Sequence, residues 1–206
     1  MYNSAPKKGQ FRGAWVGSDI CDGNIDALRD HRMLPPANLV AAWVPGAEAD
    51  LTPEKGELVV FEEHFYRGFG LPASDLFALF LIFFGLQPHL LVPNAILQLA
   101  AFVVLCEGFM GIEARLDIWR KLFFFKKQSV TMDKAKAAKL TGPKPTTTCG
   151  AVLVHHRMSS DFPQMPLQDS VKMWQKGFFY MKSFDPSHEY INLPPFAICP
   201  PSQLLL

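Results

Sequence analysis

Leu76–Cys106, LFALFLIFFGLQPHLLVPNAILQLAAFVVLC, contains no Asp, Glu, Lys or Arg. No other part of the chain offers as much apolar surface, so the fold must be built around it. A membrane-spanning helix needs ~20 consecutive apolar residues. Here Gly85, Pro88 and Pro93 interrupt the run, and each proline lacks an N–H and disfavours helix in the residue before it. Two shorter pieces remain, Leu76–Leu86 and Ala95–Cys106, of a length that suits buried helices, so no membrane span is expected. Ser74 or Asp75 can cap the first and Asn94 the second by accepting orphan backbone N–H groups. Two helices that are apolar nearly all round must be covered by other elements or by another chain.

Before this pair, Asp22 or Asn24 can cap a short helix carrying Ile25, Leu28 and Arg29 that ends ahead of Pro35-Pro36. Ala41–Val44 reads as extended, and Glu57–Phe61 as a short strand or the lead into a helix. Phe61, Phe65 and Phe69 recur every four residues, the spacing of one helical face. After the pair, Glu113–Phe125 reads as a helix with Ile112, Leu116, Trp119 and Phe123 at helical spacing. Glu113 at its start and Lys126-Lys127 past its end suit the helix dipole. Cys149–Arg157 alternates as a strand does, Asp169–Gln175 suggests a short helix, and Phe178–Met181 a strand pairing with Cys149–Arg157. The expected class is α+β, mainly helical, with a central apolar helix pair and a small C-terminal strand pair. The expected organisation is a tail over 1–20, a helical core over 21–127, a Lys/Thr/Pro loop over 128–148, a strand–helix–strand region over 149–198 and a tail over 199–206. Leu193-Pro194-Pro195-Phe196 reads as extended.

Hydrophobic residues make up 49% of the 206 and charged residues 19%, below the ~25% charged of an ordinary soluble domain, so a large core is available. The net charge of +1 conceals a dipolar layout. Asp19–Glu63 holds ten acids and three bases, whereas Arg115–Lys144 holds nine bases and two acids. The basic segment can offset the acidic part of the molecule or meet nucleic acid. Its candidate contacts are Arg115, Arg120, Lys121, Lys126, Lys127, Lys134, Lys136 and Lys139, with Phe123, Phe124 and Phe125 available to stack on bases. Cys21, Cys106, Cys149 and Cys199 form no close pair, and Met1–Gly13 has no apolar signal core. These features point to an intracellular protein with reduced thiols and an inert, buried Cys106.

The catalytic motifs sought are missing. His155 and His156 are adjacent on a strand and point to opposite faces, which suits one buried and one exposed imidazole better than a metal pair. No second Cys/His pair joins Cys149 and His155 into a zinc site. Glu62-Glu63-His64 lacks the second histidine of HExxH and reads as an exposed acidic helix start. His89, between the core helices, reads as a satisfied linker residue. There is no GxxxxGK[ST], GxGxxG or GxSxG. No catalytic, cofactor-binding or metal-binding residue is assigned, and no cofactor is expected.

Together, GELVVFEEHFYRGFGLP, FGLQPHLLVPNAILQLAAFVVLCEGFMGI, LDIWRKLFFFKK, CGAVLVHHRMSSDFP, DSVKMWQKGFFYMKS and INLPPF resemble, in order and spacing from about Ile25 to Phe196, the plant "putative gypsy-type transposon" domain family. The resemblance implies a retroelement product without an established activity. The YxDD of a reverse transcriptase and the D[ST]G of a retroviral-type protease are not found, and the cysteine spacing fits neither an HHCC integrase nor a CCHC knuckle. Longer relatives continue into polar helical regions, so the resemblance implies a truncated copy. Three expectations follow: a non-enzymatic, gag-like module that self-associates through apolar helix faces; a nucleic-acid-binding accessory domain using Arg115–Lys144; and, third, a phosphoryl-transfer enzyme that brings carboxylates together around metal ions.

Overall fold

The computed structural model describes residues 17–46, 53–54, 56–127, 149–158, 162–163, 172–184 and 193. The loop expected over 128–148, most of the helix expected at Asp169–Gln175 and Pro194–Phe196 lie outside the described residues. Those described form an α+β fold of five α-helices and five strands in two small sheets.

The central run folds as two helices, α3 (Asp75–Phe84) and α4 (Pro93–Val103). Ser74 caps α3, its hydroxyl accepting the Phe77 N–H. Gly85 ends the helix in the left-handed region at φ 59°, and the Leu86 N–H reaches back to the Leu81 carbonyl, a Schellman closure that suits glycine. Asn94 does not cap α4. Pro93 occupies the first helical position and Val92 precedes it as the cap residue, because the fixed φ of proline and its missing N–H suit N1. α4 runs on into a π-helical turn, Val104–Phe109.

The break between the helices is itself a structural element. Pro88–Leu90 makes a 3₁₀ turn and Leu91 forms a parallel bridge with Val152. The Gly150 N–H donates to the His89 carbonyl and the Val92 N–H to that of Val152. Gly150 has φ +66°, and a Cβ there would lie 2.7 Å from Cζ2 of Trp174. Gly150→Ala combines left-handed strain with an overpacked contact, so a loss of about 2 kcal/mol or more is expected in urea unfolding. A loss below about 0.5 kcal/mol, the size of an ordinary surface change, would contradict this account.

The strands pair differently from the expectation. β1 (Val40–Trp43) and β2 (Glu57–Phe61) flank β5 (Phe178–Ser183), antiparallel to it on either side. The other sheet joins β3 (Phe123–Lys127) to β4 (Val152–His156). Phe178–Met181 therefore does not pair with Cys149–Arg157. Both faces of the first sheet are buried. Leu58, Val60, Phe179 and Met181 face the main core, whereas Val59, Phe61, Phe178 and Tyr180 face a second cluster with Cys149 and Trp174. Such two-sided burial gives continuous apolar runs, ELVVF and FFYM, and no alternation to reveal partners.

The helix expected over Glu113–Phe125 is shorter. α5 covers Leu116–Leu122, with Arg115 at its cap, and the chain then becomes β3. Leu116, Trp119 and Phe123 are buried as the spacing required, but Ile112 is exposed. Phe61, Phe65 and Phe69 likewise do not share a face. α2 spans only Glu62–Tyr66, Phe65 and Phe69 join the main core, and Phe61 ends β2 in the second cluster. In α1 (Asp22–Asp30) the cap residue is Cys21, whose N–H donates to Asn24 Oδ1, so neither Asp22 nor Asn24 is the cap.

Candidate functional site

The candidate basic residues fall into four groups. Lys134, Lys136 and Lys139 lie outside the described residues. Arg115 forms a bidentate pair with Asp117, Nε and Nη2 each 3.0 Å from a carboxylate oxygen, and both side chains are more than half exposed. Its charge is thus largely answered within the chain. Arg120, Lys121 and Lys126 are exposed, the first two on α5 and the third on β3. Lys127 pairs with Val152 in the ladder.

β3 and β4 place further residues beside these. Phe123 is buried and Phe125 packs against the main core, whereas Phe124 and Lys126 are exposed. On β4, Val152 and Val154 are buried, and His155 is exposed. The register sets Phe124 opposite His155 and Lys126 opposite Leu153. The outward side of the ribbon thus carries Phe124, Lys126, Leu153 and His155. Phe124 stacks on His155 with ring centroids 5.6 Å apart and planes at 25°. The Arg157 guanidinium carbon stands 5.8 Å from the Phe124 centroid, and its Nε–H donates to the Arg120 carbonyl at 2.8 Å. Arg120 in turn places its guanidinium 5.1 Å from the Phe83 ring centre. His156 is half-buried against Phe123 and Phe162, so the two histidines take opposite faces as expected. The sequence concealed this tier because Phe124 and Arg157 meet only once the two strands are paired.

A different surface lies on α3. Leu76, Phe77, Phe80 and Leu81 are buried, but Leu79, Ile82 and Phe83 are 50%, 64% and 54% exposed. Their i, i+3, i+4 spacing sets them on one side of the helix. Val104, Phe109 and Met110 of the π-helical turn and its cap are also exposed, Phe109 at 82%. Between α3, α4 and the segment Gly68–Ser74 lies an apolar cavity of about 260 Å³ bordered by Phe69, Pro72, Phe77, Leu99, Ala100 and Val104. Its lining is mostly hydrocarbon, so it suits an apolar group better than a polar one.

The buried polar groups belong to the scaffold. His64 is 1% exposed and packs on Phe61 and Trp174, which corrects the reading of Glu62-Glu63-His64 as an exposed acidic start. Its Nε2–H donates to the Leu91 carbonyl at 3.1 Å, and Nδ1 has no hydrogen-bond partner among the described residues. Burial, which disfavours imidazolium, lowers its pKa to about 3, with the Leu91 bond opposing and His89 adding to the fall. Burial alone lowers that of His89 to about 4. The Cys149 thiol is pushed well above its usual range by burial, and that of Cys106 is raised by burial and then by Glu107, so neither is poised as a thiolate nucleophile. Among the described residues no three His, Cys, Asp or Glu side chains are grouped to hold a metal ion, and no helix is long and apolar enough to cross a membrane.

No curated protein and no solved structure matches this chain. Residues 59–127, about a third of the chain, run from β2 through α3, α4 and α5 to the end of β3, and so hold the apolar pair and one strand of the ribbon. Over this segment the chain matches the model of the family described as "putative gypsy type transposon", and to that extent it is similar to a gypsy-type transposon-related domain.

Proposed function

We propose that this chain is a non-enzymatic interaction module of a gypsy-type transposable element, gag-like in that it assembles instead of catalysing, and that copies associate through the open side of α3. The observation that carries this reading is the exposure of Leu79, Ile82 and Phe83 together on one helix side. Exposed apolar clusters of this kind mark interaction surfaces. Each is already about half covered, so burying the remainder is worth roughly 1 kcal/mol apiece, enough in sum to offset part of the cost of association. An intracellular setting, in which the thiols of Cys21, Cys106 and Cys149 stay reduced, goes with this reading.

Light scattering coupled to size exclusion should give a mass above that of one chain, and Ile82→Asp should return it to one chain. Ile82 is mostly exposed, so the substitution should leave the fold within about 0.5 kcal/mol of its original stability. A wild-type protein that stays a monomer at high concentration would end the self-association reading.

A second reading, contact with nucleic acid, is favoured by the exposure of Arg120, Lys121 and Lys126 beside the ribbon.

A further inference from the structure

We infer that the outward face of the β3–β4 ribbon is a site for single-stranded nucleic acid, with Phe124, His155 and Arg157 forming a tier on which bases stack and Arg120, Lys121 and Lys126 meeting the phosphates. This rests on the second reading above and moves its site. The contacts are not the run Arg115–Lys144 as such, but a surface that two strands distant in sequence assemble between them.

Three observations carry it. First, the core does not need the middle phenylalanine of the FFF run. Phe123 is fully buried and Phe125 packs inward, while Phe124 is left 38% exposed on the opposite face. Second, Phe124 is organised, not merely left out. His155 stacks on it at 25° across the ladder, and Arg157, held by its bond to the Arg120 carbonyl, lies over the same ring. Flat π and guanidinium groups in series match the faces of nucleobases. Third, the segments that meet at the tier carry charge of one sign. No Asp or Glu occurs within 118–127 or 149–158, whereas Arg120, Lys121, Lys126, Lys127 and Arg157 do. A polyanion is the complementary partner. A stacking tier selects a polyanion with accessible planar faces, and a duplex hides those faces within its own stack, so the strand must be single.

The full chain is titrated into fluorescently labelled oligo-U and oligo-dT of roughly 16 nucleotides, near the upper site size of single-strand-binding folds, and into a duplex of equal length. The single strands should bind, with the affinity falling steeply as salt rises. Phe124→Ala should weaken this binding about 10-fold or more, as the loss of one stacked base does, and Phe124→Trp should restore it. Lys126→Gln should reduce the slope of log affinity against log salt by about 0.7. A cooperative urea transition for Phe124→Ala, with its midpoint well above zero urea, keeps the comparison free of unfolding. If Phe124→Ala binds as the wild type does while replacing Lys134, Lys136 and Lys139 abolishes binding, the ribbon site is wrong and the nucleic-acid reading stands. If the duplex binds as tightly as the single strands, the stacking assignment is overturned. If the wild type binds neither at about 50 mM salt, where such contacts are strong, both fall.

Discussion

Acidifying the protein from about pH 7 to about pH 5 is expected to remove roughly 4 kcal/mol of folding stability, because His64 and His89 must stay neutral to remain buried. Both imidazoles are nearly inaccessible, and burial lowers their pKa values from 6.5 to about 3 and about 4. The unfolded chain binds protons on both as pH falls through 6.5, while the folded chain does not. Protonation therefore favours the unfolded state. The contribution is complete above the unfolded pKa, declines below it and levels off once the folded pKa is passed. Each histidine contributes a slope of about 1.4 kcal/mol per pH unit inside that window. Between about pH 6 and pH 5 most carboxylates are still ionised, so the two histidines dominate there. The total is comparable with the ~5–15 kcal/mol that holds an ordinary domain together.

Urea midpoints measured across this range would show the slope directly. His89→Gln should roughly halve it, since one of two titrating groups is gone. A slope that is unchanged in that variant, or absent in the wild type, would refute the assignment.

Phe123→Ala and Phe124→Ala should differ by several kcal/mol although the residues are neighbours. Phe123 is 0% exposed, stacks on Trp119 at 5.5 Å, and meets Phe102, Phe162 and His156 at 6.0, 4.8 and 4.8 Å. It joins the last turn of α5 and the ribbon to α4, so truncation leaves a cavity where three elements meet. The expected loss is about 3–5 kcal/mol. Phe124 faces outward and loses only its stacking on His155 and the Arg157 guanidinium, so its truncation should cost about 1 kcal/mol. Paired urea titrations test this, and equal losses would mean that the strand does not present these residues to opposite sides.

The contrast also shows what a linear reading can detect. The lack of charge in Leu76–Cys106, its prolines and Gly85 are local signals, and they located α3 and α4 because burial and helix termination act on the residues that carry them. Leu116, Trp119 and Phe123 have a spacing that a helix satisfies, and all three are buried. Yet the chain leaves the helix at Phe123, because β4 supplies a partner that only folding brings near. β5 hides its neighbours for the same reason. Apolar on both faces, it lacks an alternation that would say which strands flank it. His64 was misread because two acids precede it, while its burial depends on Leu91 and Trp174, which come from elsewhere in the chain. The Phe124–His155–Arg157 tier was likewise only half visible, as aromatic and basic residues without the strand that aligns them.

The place of β5 between β1 and β2 has a consequence for synthesis. On the ribosome, the first two strands emerge long before the one that joins them, and at ~5–20 residues per second they wait for seconds with open edges. α3 and α4 emerge in that interval, so helical collapse can precede sheet closure. A nascent product cut before Phe178 would lack the strand common to both ladders and leave Val40–Trp43 and Glu57–Phe61 with bare hydrogen-bonding edges, a template for aggregation.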